Sequence, residues 1–270
     1  MIPGVYEFRW DAGHVIFLGA FYLVAVLIAA GLLAAALRTW RDVRAGRTEV
    51  LAWREEFRAL PPERRACRHA LSGLRPGRLC PNGLDCRQCE EHPRVLAGAA
   101  PPRAESGPAL PDDRLYHRGH TWVRPEPDGT VAIGLDDFAS RLIGEPSGLR
   151  LPAIGSRLVV HGTAFRVRTA EAEARILSPV DGIVVATGGP GKGFWLRVRL
   201  DGDILDARHL LAADEARPWM VLERDRVQLL LAGAGTGPLL ANGGEPAEHL
   251  ARAVPPDKRD TVLGDLFLDP

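Results

Sequence analysis

Residues 163–200 read TAFRVRTAEAEARILSPVDGIVVATGGPGKGFWLRVRL. Three runs in it, AFRVRTA, GIVVATG and FWLRVRL, are rich in β-branched and aromatic residues and are separated by Asp-Gly and Gly-rich turns, which is the signature of short antiparallel strands. The pattern continues upstream in TWVRPE (121–126), TVAIGL (130–135) and RLVVHG (157–162), with Asp128-Gly129 and Gly155-Ser156 as turn dipeptides. These runs predict a small, mainly β unit over residues 114–231. Downstream, MVLERDRVQLLLAG (220–233) fits either an added strand pair or a short helix, and the glycine- and proline-rich stretch 232–270 is expected to be a flexible tail. Its closing DTVLGDLFLDP is apolar enough to dock on a partner.

Ordered segments in this region resemble the H protein of the glycine cleavage system. They are LYHRGHTWV (115–123), VAIGLDDFA (131–139), LPAIG (151–155), RILSPVDGIVV (175–185) and FWLRVRL (194–200), set against that family's HEWV, VGITDYA, LPEVG, SPVSGEV and GWL segments. The resemblance implies a flattened hybrid β-barrel, a barrel-sandwich hybrid, in which a hairpin presents a lysine for lipoylation. That lysine lies seven residues before the serine of SPVSG. Counting back from Ser178 gives Glu171, and Ala170, Ala172 and Glu173 beside it also lack a primary amine. The chain has only two lysines, Lys192 in a Gly-flanked turn and Lys258 far downstream, so lipoate is not expected. The connection ATGGPGKG is also shorter than the family's, which implies altered docking to the decarboxylase and aminomethyl-transfer partners. His120 matches the family's HEW histidine with Thr121 in place of Glu, and is expected to pack or hydrogen-bond rather than act as a base. Glu171, Glu173, Asp136 and Asp137 are read as solvated turn and loop residues.

Far upstream, Val15 to Leu37 carries no charged residue. At roughly 1.5 Å per residue it spans about 34 Å, enough for a bilayer core of about 30 Å. Arg38, Arg41, Arg44 and Arg47 follow it, whereas Glu7, Arg9 and Asp11 precede it. The positive-inside bias therefore predicts a single-pass protein of a bacterial-type inner membrane, with residues 1–14 outside, a transmembrane helix over 15–37 and a cytoplasmic soluble part. A helical continuation is expected over 38–62, stopped by Pro61 and Pro62.

All four cysteines fall in residues 63–94, with spacing C-x12-C-x5-C-x2-C through Cys67, Cys80, Cys86 and Cys89. Four thiolates suit a tetrahedral site, with His69 and His92 as possible substitutes, so a zinc-stapled module is expected and an iron–sulfur cluster is the alternative. Residues 95–113, rich in Ala, Pro and Gly, read as a linker between this module and the β unit.

Lys+Arg and Asp+Glu balance at 34 each, which excludes a globally basic nucleic-acid binder. No nucleophile–base pair is visible, so no catalytic residue is assigned and the chain is not read as an enzyme. Three function classes follow: a membrane-anchored scaffold binding a partner subunit of unknown identity, an iron–sulfur redox subunit of a membrane oxidoreductase, and an authentic lipoyl carrier.

Overall fold

The computed structural model describes residues 11–98, 110–169, 172–233 and 254–269. The chain forms two compact units, 1–47 and 48–270. In the first, helix α1 (Ala12–Arg44) is capped by Asp11, whose carboxylate accepts the His14 backbone N–H at 2.9 Å. No α1 residue is buried, and its mean hydropathy reaches 2.6 over its most apolar window, so it is long and apolar enough to cross a membrane. The expected span 15–37 lies inside it. The expected continuation over 38–62 is divided instead: α1 runs on to Arg44, Gly46 takes a left-handed φ of 70°, and α2 (Arg47–Ala59) follows.

In the second unit a six-stranded antiparallel sheet has the order β1-β2-β3-β9-β8-β5. Its strands are β1 (Leu115–His117), β2 (Thr121–Pro125), β3 (Thr130–Leu135), β5 (Arg157–Leu158), β8 (Gly182–Gly189) and β9 (Phe194–Leu200). A three-stranded sheet has the order β4-β6-β7, from β4 (Gly148–Arg150), β6 (Thr163–Arg168) and β7 (Glu173–Leu177). Ile133, Leu196 and Val198 of the larger sheet share one core with Phe165, Val167 and Ile176 of the smaller. The mainly β expectation is thus met. One run is shorter than read: RLVVHG pairs only at Arg157 and Leu158, because the chain turns back through His161 at a φ of 65°. Register is fixed tightly where Trp122 opposes Gly134, since a Cβ there would sit 2.2 Å from the indole ring.

Helices surround the sheets: α3 (Arg68–Leu71), α4 (Glu91–Gly98), α5 (Asp137–Ile143), α6 (Ala213–Gly233) and α7 (Pro256–Phe267). The undecided 220–233 stretch is helical, as the second half of α6. The expected flexible tail is corrected over 254–269. There α7 places Val262, Leu263, Leu266 and Phe267 in the common core, and Leu268 beyond its end is also fully buried. Spacings of one, four and five residues put these side chains on one helical stripe, and burying such a stripe outweighs the disorder suggested by composition. Residues 234–253 lie outside the described part. The Cys-rich segment also differs from the separate module expected, since it belongs to the same compact unit as the sheets.

Candidate functional site

The β6–β7 hairpin is the point at which the sequence reading placed the missing lysine. Glu171 and Ala170 lie outside the described residues. On either side of them the hairpin closes: Thr169 N–H donates to Ala172 O at 2.8 Å, and Thr169 Oγ1 accepts the Ala172 N–H at 3.0 Å. Register pairs Arg150 with Arg166 and Arg166 with Arg175, and two residues along it pairs Arg168 with Glu173. Alternation puts these five charged residues on one face, opposite buried Val167 and Ala174. Glu173, expected to be merely solvated, is approached by Arg168 at 3.2 Å, Arg166 at 3.7 Å and Arg150 at 3.8 Å. Arg175 is matched separately, by Glu56 of α2 at 2.6 Å and by Asp269 at 3.0 Å.

His120 sits in a buried charged chain. Its Nδ1 is 2.8 Å from Asp136 Oδ2 and its Nε2 is 3.7 Å from Glu223 Oε2. Asp136 is therefore no solvated loop residue: it is 3% exposed, and its other oxygen accepts the Ala139 N–H to cap α5. Burial opposes charge on His120, but Asp136 and Glu223 outweigh it and hold its pKa above the ordinary value. Glu223 in turn takes both carboxylate bonds from Arg64 Nη1, at 2.7 and 2.8 Å, while Arg64 Nη2 donates to Leu266 O at 2.6 Å. Arg64 lies at the start of the Cys-rich segment, Glu223 belongs to α6 and Leu266 to α7, so one buried guanidinium ties three segments together. The geometry of this chain supports packing, as the sequence predicts for His120. It presents no exposed base or nucleophile.

The structure places the metal candidates as follows. Cys67 precedes α3 and is buried, Cys80 is half-buried and its Sγ accepts the Leu84 N–H at 3.3 Å, and buried Cys86 and half-buried Cys89 flank one 3-10 turn. All four are free thiols. Burial pushes the Cys80 thiol up and raises that of Cys86 to about 12. His69 and His92 turn toward each other, 3.0 Å apart. Among the described residues no group of three or more His, Cys, Asp or Glu side chains is arranged to hold a metal ion. The expected ligands share one segment, in which Cys86 has Cys67, Cys80 and Cys89 as neighbours.

A second histidine group was not legible in the sequence. His117, His161 and His209 stand 5.0 to 6.3 Å apart by ring centroid, and Trp53 of α2 stacks on His161 at 4.8 Å. His117 Nδ1 accepts the Gly119 N–H and His209 Nε2 donates to Pro179 O, leaving His117 Nε2, His161 Nε2 and His209 Nδ1 buried without hydrogen-bond partners among the described residues. Burial holds all three pKa values below the ordinary histidine value, and neighbouring histidines and arginines add to the effect. His117 ends β1 while His161 and His209 lie in separate turns, and only the tertiary fold unites them.

Between α2, β7, α6 and α7 lies a cavity of about 810 Å³, lined by residues including Leu60, Ala174 and Leu263, with Glu63, Arg175 and Asp260 among its charged walls. The two lysines are both elsewhere. Lys192 occupies the β8–β9 turn, its N–H donating to Gly189 O at 3.1 Å, and Lys258 lies in the first turn of α7.

The sheet order and the hairpin define a lipoyl-type β carrier fold. Residues 114–188 match the family model described as glycine cleavage H-protein. The glycine cleavage system H protein of Psychrobacter cryohalolentis is 30% identical over 119 residues, covering 39% of this chain and 94% of that protein. A probable glycine cleavage system H protein of Natronomonas pharaonis is 32% identical over 119 residues, covering 39% and 92%. The crystal structure of a glycine cleavage system H protein from Mycobacterium marinum aligns at 22% identity with a TM-score of 0.33, covering 39% of this chain and 94% of that one. The chain belongs to the glycine cleavage system H protein family.

Proposed function

We propose that this chain is a membrane-anchored, non-lipoylated accessory subunit that uses the H-protein fold to bind a partner protein in a membrane-associated complex. The observation that carries the reading is Glu171. It stands where the family resemblance expects the modified lysine, and a carboxylate cannot form the amide link to lipoate that a primary amine forms. Neither remaining lysine belongs to the β6–β7 hairpin. With no chemistry at the hairpin, the fold serves as a surface. Helix α1 is the anchor in this reading, and the arginines in its last turn support an N-terminus outside and residues 48–270 in the cytoplasm.

Intact-mass measurement of the full chain purified from native membranes tests this. The expected result is the unmodified polypeptide. A lipoyl increment on Lys192 or Lys258 sinks the reading in favour of a second one, an H protein carrying lipoate in glycine cleavage. That second reading is supported by the relatives, whose names state that role and whose lengths this chain covers almost completely.

A further inference from the structure

We propose that Cys86 and Cys89 form a redox-active dithiol that closes to a disulfide by exchange with a low-molecular-weight disulfide of the glutathione class. The inference is independent of the anchor and of any lysine modification. The two cysteines bound a single 3-10 turn, Cys86–Gln88, which the Cys89 N–H closes by donating to Cys86 O at 3.3 Å. Such a turn rises about 2.0 Å per residue with about 3.0 residues per turn, so positions i and i+3 are eclipsed with their Cα atoms about 6 Å apart. A disulfide needs Cα atoms roughly 4.4–6.8 Å apart with the Cβ atoms on the same side, and this turn meets both conditions.

Cys67 and Cys80 do not offer such a pair. They flank the antiparallel bridge between Ala66 and Leu79, the Cys67 N–H donating to Arg78 O at 2.8 Å and the Cys80 N–H to Arg65 O at 2.7 Å. Each therefore faces an arginine, and the two cysteines are diagonal, a relation that sets Cα atoms about 7–8 Å apart and beyond bridging distance. Exposure orders the chemistry at the turn. Cys89 is half-buried between exposed Gln88 and Glu90, whereas Cys86 is 8% exposed. The Cys89 thiolate attacks one sulfur of the small disulfide, breaking its S–S bond, forming a mixed disulfide and releasing a thiolate that takes up a proton. Cys86 then gives its proton to solvent and its sulfur attacks Cys89 Sγ, forming the Cys86–Cys89 bond and expelling the second small thiol. Two electrons pass from the protein dithiol to the reagent. Burial, which raises the Cys86 thiol to about 12, makes the second step the slow one and makes Cys86 a poor leaving group, so the closed disulfide resists reduction. Arg87 inside the turn pairs with Asp181, between β7 and β8, which fastens the redox site to the family fold.

The test incubates the full chain in detergent micelles with glutathione disulfide, quenches with N-ethylmaleimide and digests with trypsin, which cuts after Arg78, Arg87 and Arg94. The expected product is peptide 79–87 bridged to peptide 88–94, with fragmentation placing the bond between Cys86 and Cys89. Cys80→Ser keeps the bridge, and Cys86→Ser loses it and accumulates the glutathione adduct on Cys89. Closure is expected to quicken about tenfold per pH unit between pH 7 and 9, as the thiolate fraction of a thiol titrating near 12 does. A bond that fragmentation places on Cys67 or Cys80 overturns the proposal. So does a glutathione adduct that persists on Cys89 in the unaltered chain, a closure rate indifferent to pH, or resistance of all four thiols to the reagent.

Discussion

Arg64 is 1% exposed and is paired with Glu223 at 2.7 Å, with Asp265 further off at 3.8 Å. Replacing Glu223 with Leu leaves that guanidinium buried with a weakened set of partners, and a buried pair broken on one side costs about 3–5 kcal/mol. Thermal unfolding of the variant should register a loss of that size, and a shift within error would show that the chain of charges contributes little. Small residues are equally constrained: Gly134→Ala drives a methyl into Trp122 and is expected to cost about 1–3 kcal/mol. Acid provides the third test. His117, His161 and His209 have pKa values lowered in the folded state, so the unfolded chain binds protons first. Their neutrality costs nothing above about pH 6.5, and stability falls as pH drops below that value, by about 1.4 kcal/mol per pH unit for each histidine. His120 works in the opposite sense, since its raised pKa adds stability at low pH that is lost as pH rises through the folded value. With His69 and His92, whose pKa values burial also lowers, the balance is five against one, which predicts net acid lability below about pH 6.5, read by denaturant titrations across pH; a flat profile between pH 7 and 5 would contradict it.

Helix α7 completes a core that the strands alone leave open. Leu266 and Phe267 are 0% exposed, so Leu266→Ala is expected to cost about 2–5 kcal/mol. The Cys-rich segment makes its own prediction, readable by alkylation and mass spectrometry. Half-buried Cys89 should react first, while buried Cys67 and Cys86 lag, Cys86 further slowed by a thiol pKa of about 12. Simultaneous protection of all four thiols, with metal recovered from the same sample, would instead support the thiolate centre that their spacing suggests. The elements that the sequence made legible were those governed by local periodicity and turn chemistry: the hydrophobic run of α1, and the strands flanking Asp128-Gly129 and Asp181-Gly182. Those it concealed depend on distant partners. The apolar stripe of α7 looked like part of a loose tail because nothing local shows that it meets β7, and the exposure of Asp136 was misjudged because its partner His120 lies 16 residues away.

At the scale of the molecule, residues 48–270 form a compact unit with its own core. Expressed without α1, that part is expected to be soluble and to melt at the same temperature as in the full chain, by circular dichroism. Aggregation or a lower melting point would show that the first unit contributes to its stability. The family fold could be read from ordered motifs, whereas the added segments that wrap it could not. Arg64, Arg118 and Glu223 look in sequence like ordinary surface charges, and only burial reveals them as structural.

The placement of α7 also bears on biosynthesis. A polypeptide emerges from the ribosome in order, so α1 is available for membrane insertion long before Val262 to Leu268 have been made. Until those residues arrive, the part of β7 that they meet lacks its neighbour, and the core that they share with Trp219 is incomplete. Under the proposed anchoring, the nascent protein commits to its bilayer first and completes its core last, and a premature stop before α7 would strand an inserted, unfinished chain for quality-control proteases to clear.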